Sequence, residues 1–366
     1  MTGRLLILSE REAGCAERLR GTGFGPDVAT EIAGYLSQAT DLVAFEAAIA
    51  TALASVGVSV RFADPTAPEE WFDWLCERPS QTLVWPVTDG IWYYRGSAGA
   101  AIARLVGARR FGSPAAVQHL SQDKAKAGAV AAALGVPVPA TGLLRDGAWL
   151  SPSPGGSGPW FVKPNTLGAK LGIWADSRVD DLEAALALSR RIFARYRDDA
   201  VVQAYVPGFD VRVSWMAVDR DPGLDRIGVY RLDSGGGGET AGDFMAMADN
   251  RTLSGTSDTE GTASASRTGR AAFVPRMVDV ALGEPALAAE IAGLVRRAAN
   301  GIGLRDVFSM DFRVAWNGKP CLLEFEGCPA VTIYDFGRYL ADNWGCDLPE
   351  ALARAIPPAF SRADEP

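Results

Sequence analysis

The chain has 366 residues, with 44 acidic against 36 basic side chains and a net charge of −8. It is 48% hydrophobic and 22% charged, a globular composition, and it exceeds the about 100–200 residues usual for one domain. The acidic balance and the lack of any lysine- or arginine-rich run argue against a nucleic-acid partner, and no apolar run is long enough to span a bilayer. The five cysteines include no CxxC pair, which predicts a reduced, cytoplasmic setting rather than a disulfide frame or a structural zinc. His119 is the single histidine, so any catalysis must run on carboxylates, lysines, arginines and backbone amides.

Leu5–Leu8, Val58–Phe62 and Thr82–Val87 read as buried strands around an Ala-rich helix, Leu42–Val56. This alternation predicts a mostly parallel α/β sheet. Gly112-Ser113-Pro114 places a boundary near residue 115, giving domains at 1–115, 116–195 and 196–366. In the middle domain a helix over Asp123–Leu134 stops at Gly135, Pro137 and Pro139. The strand Trp160–Pro164 leads into a loop bearing Gly168 and Gly172, and Asp180 with Glu183 opens a helix over 181–196 as a capping box. Val201–Val206 and Asp210–Val218, joined by Pro207-Gly208, read as a hairpin. Residues 234–270, rich in Gly, Ser, Thr and Asp, form either an active-site loop, with Phe244, Met245 and Met247 free to dock, or a disordered excursion. A helix over 285–300 starts at Pro285 and ends at Asn300-Gly301.

The most informative segment is Val307–Glu326. Two apolar runs flank Asn317-Gly318, a strong hairpin signal. With a two-residue turn there, Trp316 faces Lys319, Val314 faces Cys321, Asp311 faces Glu324, and Glu326 shares the face of Glu324. Acids directly opposed on a sheet repel one another. A divalent cation turns that repulsion into a site, and an oxygen-only donor set suits magnesium. The alternative is a solvated acidic face, against which stand the apolar flanks Phe308, Met310, Phe312, Leu322, Leu323 and Phe325. Lys163, at the end of an apolar strand before a glycine loop, can meet phosphate oxygens as a point charge.

Ser121-Gln122-Asp123-Lys124, Gly135–Pro139, Val162–Asn165 with Gly168 and Gly172, Gln203–Gly208 with Asp210, then Asp311 and Leu323–Pro329 follow one another in an order that resembles the ATP-grasp ligases. Within them the D-alanine–D-alanine ligase family is nearest, with a trace of the ribosomal-protein glutamate ligases at Asp210-Val211-Arg212; the resemblance covers roughly residues 80–340. It implies an α/β ATP-grasp fold in three parts: a Rossmann-like N-terminal domain, a small central lid, and a C-terminal α+β domain with an antiparallel sheet. It also implies that Lys124 and Lys163 meet the ATP phosphates, Gly168 to Gly172 covers them, Gln203, Ala204, Tyr205 and Val206 hold adenine, and Asp210 meets ribose. Asp311, Glu324 and Glu326 then bind magnesium, as two ions and with manganese as a substitute. Glu326 stands where the family usually has asparagine.

The departures fall on substrate positions. Ser309 replaces the arginine two residues before the metal aspartate, Ala169 and Lys170 replace two serines, Ala330 replaces a glycine, and Thr88-Asp89-Gly90 replaces a histidine–glycine element. The expected activity is ATP-dependent joining of a small carboxylate to an amine through an acyl phosphate, with altered substrates. Arg212, or else Arg231 or Arg313, supplies the missing catalytic cation. The competing readings are a catalytically silent nucleotide-binding module and a small-molecule kinase of the same fold. The expected partners are small molecules, with neither nucleic acid nor membrane, and the chain is compatible with a homodimer.

Overall fold

The computed structural model describes residues 3–40, 42–87, 96–220, 223–233, 244, 246–247 and 276–362. Three sheets divide the chain. The first is parallel, in the order β2-β1-β3-β4, from β1 (Gly3–Leu8), β2 (Val58–Ala63), β3 (Thr82–Pro86) and β4 (Arg109–Arg110). The three strands expected from sequence are all present. Helices α1 (Glu12–Gly21), α2 (Pro26–Thr40), α3 (Glu46–Ser55), α4 (Phe72–Glu77) and α5 (Gly96–Val106) accompany them.

Helices α6 (Ala115–Gln122) and α7 (Lys124–Ala133) lead into the second sheet. The Asp123 carboxylate caps α7 by accepting the Lys126 N–H at 3.0 Å, as a residue of that type does at a helix start. The second sheet runs β6-β5-β9-β7-β8, from β5 (Thr141–Arg145), β6 (Ala148–Trp149), β7 (Trp160–Pro164), β8 (Arg178–Val179) and β9 (Ala200–Ala204). Helix α8 (Leu182–Tyr196) buries Ala185, Leu188 and Ile192 against Val162 and Val202. Its cap is Asp181, which accepts the Ala184 N–H at 2.8 Å, and not Asp180.

The third sheet runs β12-β11-β10-β13-β14, from β10 (Gly208–Met216), β11 (Gly228–Asp233), β12 (Arg276–Asp279), β13 (Val307–Ala315) and β14 (Pro320–Glu326). Its helices are α9 (Val280–Gly283), α10 (Pro285–Ile302), α11 (Tyr334–Trp344) and α12 (Leu348–Ala359). One face is apolar: Val211, Val213, Phe308, Met310, Phe312, Val314, Leu322 and Phe325 pack on α10, each large side chain contributing about 1.5–3 kcal/mol on burial.

One expectation is corrected. Residues 201–218 are not a hairpin: β9 pairs with β5 and β7 in the second sheet, whereas β10 pairs with β11 and β13 in the third. Both edges of each strand are already taken, so Tyr205–Pro207 is a crossing between sheets. Strand β9 therefore belongs with the second sheet and β10 with the third. The expected loop 234–270, Met245 included, lies outside the described residues except Phe244, Ala246 and Met247. Phe244 meets Phe161 edge-on at 4.9 Å, and the Met247 N–H donates to the Ile173 carbonyl at 2.8 Å.

Gly208 starts β10 where a Cβ would lie 1.9 Å from the Val314 carbonyl oxygen. Gly208→Ala is expected to destabilise the fold by about 1–3 kcal/mol, read as a lower denaturation midpoint. An unchanged midpoint would contradict this packing.

Candidate active site

The polar face of the third sheet carries the site. In β10 and β13, Arg212 pairs with Asp311, Ser214 with Ser309 and Asp210 with Arg313; in β13 and β14, Asp311 pairs with Glu324 and Ser309 with Glu326. The three expected acids therefore share a face, but not by the expected turn. The Ala315 N–H donates to the Lys319 carbonyl at 3.0 Å, so three residues, Trp316 to Gly318, form the loop and Val314 faces Pro320 rather than Cys321. Gly318, at φ +82°, suits this longer turn. A bulge between Asp311 and Phe312, with Leu323 the extra residue on β14, restores the pairing at the acids. Two irregularities cancel.

Arg212 organises the patch. Its Nη1 donates to both Asp311 oxygens at 3.0 and 2.9 Å, its Nη2 to Glu326 Oε2 at 2.9 Å, and its Nε to Asp335 Oδ2 at 2.9 Å. The hydroxyl of Ser309, where the family has an arginine, donates to Glu326 at 2.8 Å. The cation beside Asp311 thus comes from the neighbouring strand, β10.

Glu324 is held from the other side. Lys124 Nζ lies 3.2 Å and Lys163 Nζ 3.9 Å from Glu324 Oε2, and Lys124 also donates to the Leu167 carbonyl at 2.7 Å. Lys163 shares its sheet face with Phe161 and, through cross-strand pairing, Gln203. The loop through Gly168 and Gly172 turns on left-handed backbone at Ala169, Lys170 and Gly172. Its Leu167 and Leu171 pack on Cys15, Leu19 and Ile32 of α1 and α2.

The expected nucleoside residues lie along the sheet crossing. The N–H groups of Ala204 and Tyr205 donate to the carbonyls of Ala140 and Pro159, and Gln203 Nε2 donates to the Thr141 hydroxyl at 3.3 Å. Arg313 bonds to the Val206 carbonyl at 3.0 Å and to Asp210 at 2.9 Å. Arg313 is therefore committed to this end of the site. Arg231 pairs across strands with Val211 on the apolar side of the sheet and stacks over Phe209 at 4.2 Å. Arg212 is the arginine that bonds to the carboxylates Asp311 and Glu326.

Burial pushes the Asp311 carboxyl up to about 6 against the pull of Arg212, with Glu324 and Glu326 pushing the same way. Burial acts upward on Glu324 too, but Lys124 and Lys163 outweigh it and hold the group at about 2. Burial lowers Lys163, an effect that Glu324 opposes. Among the described residues no set of three acid, cysteine or histidine side chains converges as a ready metal cage, and Arg212, Lys124 and Lys163 pair with Asp311, Glu326 and Glu324 instead. The donor set still fits magnesium, which takes one or two carboxylates and fills its shell with phosphate and water.

Sequence reasoning missed Asp335, Ser214 and Asn165. The Asn165 carbonyl and side-chain oxygens accept the Lys124 and Ala125 N–H groups at 3.1 and 3.0 Å, fixing the start of α7. Asp335, an acid amid the apolar run Val331–Phe336, carries a readable polarity signal, but nothing in the sequence pairs it with β10.

Since the folded-state Asp311 titrates above its ordinary range, its ionised form costs stability above a pH of about 6, and that cost disappears as the proton is taken up. Asp311→Asn is therefore expected to raise the melting temperature at neutral pH, the gain shrinking as pH falls through about 6. A lower melting temperature at neutral pH would contradict this balance.

No protein-family model matches the chain. A D-alanine–D-alanine ligase of Anaeromyxobacter sp. (strain Fw109-5) is 27% identical over 205 residues, 56% of this chain and 55% of that protein; the match thus spans little more than half of the relative's length. The D-alanyl-alanine synthetase A of Vibrio cholerae superposes with a TM-score of 0.61 at 16% identity, covering 99% of this chain and 100% of that one. The VanG D-Ala:D-Ser ligase of Enterococcus faecalis does so at 0.60 and 14%, over 98% and 100%. Among the described residues no helix is long and apolar enough to cross a membrane. With its parallel sheet and two antiparallel sheets, the chain has the ATP-grasp fold of the D-alanine–D-alanine ligases.

Proposed function

We propose that this protein is an ATP-dependent carboxylate–amine ligase acting on amino acids or similarly small metabolites in the cytoplasm. The observation that carries the reading is the meeting of Lys124 and Lys163, from α7 and the second sheet, with Glu324 on the third sheet, beside Asp311 and Glu326. Two lysines and three acids gathered in one patch suit a phosphate chain with its magnesium. The names of the relatives, all joining two amino acids, agree with small carboxylate and amine substrates. The departures at Ser309, Ala169, Lys170 and Ala330 favour a different pair, of the kind used in natural-product or peptide biosynthesis.

In this reading the base lies along Gln203–Val206 and the ribose meets Asp210, which Arg313 holds in place. Lys124 and Lys163 draw charge from the phosphates, and Gly168 to Gly172 covers them. Asp311, Glu324 and Glu326 would hold magnesium, which supplies charge neutralisation on the phosphate oxygens. A substrate carboxylate oxygen attacks the γ-phosphorus and ADP leaves. The amine then attacks the acyl carbon, loses a proton and expels phosphate, giving the amide. Arg212 is the cation placed to face the oxyanion of that second step. Catalysis of this kind rests on positioning and fixed charge, and a covered site keeps water from the acyl phosphate.

The test is release of ADP from ATP across a panel of amino acids, with mass spectrometry for the condensed product. Wild-type protein is expected to release ADP only with magnesium, an acid and an amine together. Glu324→Ala is expected to stay folded and lose at least about a hundredfold in rate. Tight ATP binding without ADP from any substrate would favour a silent module, and phosphate transfer that needs no amine would favour a kinase. Unchanged turnover in Glu324→Ala would remove the metal assignment.

A further inference from the structure

Asp335 lies in the first turn of α11, fully buried, and of the three acids that Arg212 touches it is the one carried by neither β13 nor β14. Its Oδ2 accepts from Arg212 Nε at 2.9 Å and from the Ser214 hydroxyl at 3.1 Å. Its Oδ1 is buried and has no hydrogen-bond partner among the described residues. Leaving a buried acceptor unpaired is costly, yet this one belongs to a carboxylate already bonded to an arginine. Arginine and carboxylate pair most strongly through two parallel N–H···O bonds. The Arg212–Asp335 contact is half of such a pair, because Nη1 and Nη2 are spent on Asp311 and Glu326.

Resting on the ligase reading, we propose that Asp335 is a positioning residue that retains Arg212 when a divalent cation takes Asp311 and Glu326, its unpaired Oδ1 receiving a guanidinium N–H that those acids give up. Arg212 and the cation are rivals for the same oxygens. Without a reserve acceptor, giving up Asp311 and Glu326 would strand a buried guanidinium, and that penalty would oppose metal binding. The mount is rigid. Phe336, Tyr339 and Leu340 are fully buried, and the Tyr339 hydroxyl accepts the Met216 N–H at 3.2 Å and donates to its carbonyl at 3.3 Å. Arg212 stays fixed at Nε and exchanges partners at its far end.

The experiment is a titration with ADP, followed by tryptophan fluorescence, in excess Mg2+ and in EDTA, for wild type, Asp335→Asn, Arg212→Gln and the double variant. Asp335→Asn is expected to cut the Mg2+-dependent gain in ADP affinity by about tenfold or more, with affinity in EDTA unchanged. In the Arg212→Gln background it is expected to change nothing, because the residue acts through the arginine. Equal losses in Mg2+ and EDTA, or an undiminished loss in that background, would make Asp335 a structural support and overturn the proposal. If Asp335→Asn does not fold, Arg212→Gln decides: a larger Mg2+-dependent gain supports the rivalry, and an unchanged or smaller one overturns it. A wild type whose ADP binding ignores Mg2+ removes the ligase reading and this proposal together. A normal wild-type response with an unaltered Asp335→Asn removes this proposal alone.

Discussion

Four carboxylates crowd one face of the C-terminal sheet, and the arginine and two lysines that balance them come from three different places in the chain. Asp311 and Glu324 are direct cross-strand partners, an arrangement that by itself repels. Arg212 offsets it from the adjacent strand, bridging Asp311, Glu326 and Asp335. Lys124 and Lys163 offset it from a helix and a strand of the central region. The same charges that make the face stable therefore join the second sheet to the third. Counting Asp311, Glu324, Glu326 and Asp335 against Arg212, Lys124 and Lys163 leaves one negative charge in excess, and the neighbouring acids Glu324 and Glu326 add to burial, the larger cause, in raising Asp311. In the ligase reading, such a face would exchange internal partners for a cation and a phosphate chain brought in together.

The rest of the fold delivers these groups. The sheet crossing at Tyr205–Pro207 places the strand bearing Lys163 next to the strands bearing the acids, and the Leu322 N–H, donated to the Pro137 carbonyl at 2.8 Å, ties β14 to the lead-in of the second sheet. From the opposite side, α1 and α2 grip the glycine loop through Leu167 and Leu171. They also reach α8, where the Glu31 carboxylate accepts from Arg195 Nη2 at 2.7 Å and from the Tyr196 hydroxyl at 2.8 Å. The N-terminal helices thus brace the element that would lie over the phosphates.

Much of this was legible in the sequence, for identifiable reasons. The parallel strands announced themselves as short apolar runs, and the acids of β13 and β14 stood out because they interrupt otherwise buried strands. Their register combines two features of opposite sense, a turn one residue longer than Asn317-Gly318 alone and a bulge at Leu323. The bulge shows only as the odd spacing of the buried Leu322 and Phe325, a break in alternation that does not by itself say which residue is extra. The hairpin expected at 201–218 failed because strand signals and a Pro-Gly pair say nothing about which sheet each strand joins. Helices α1 and α2 went unread, and Asp335 escaped because its importance lies in a contact with Arg212 more than a hundred positions away. Local patterns report periodicity and caps; they do not report which distant charge a buried acid faces.

The most direct measurement is anomalous diffraction from crystals grown with ADP and Mn2+. The account requires a manganese peak against Asp311, Glu324 and Glu326, with the diphosphate between it and the ammonium groups of Lys124 and Lys163. Nucleotide bound elsewhere, or manganese absent from the acidic face while nucleotide occupies the cleft, would contradict it.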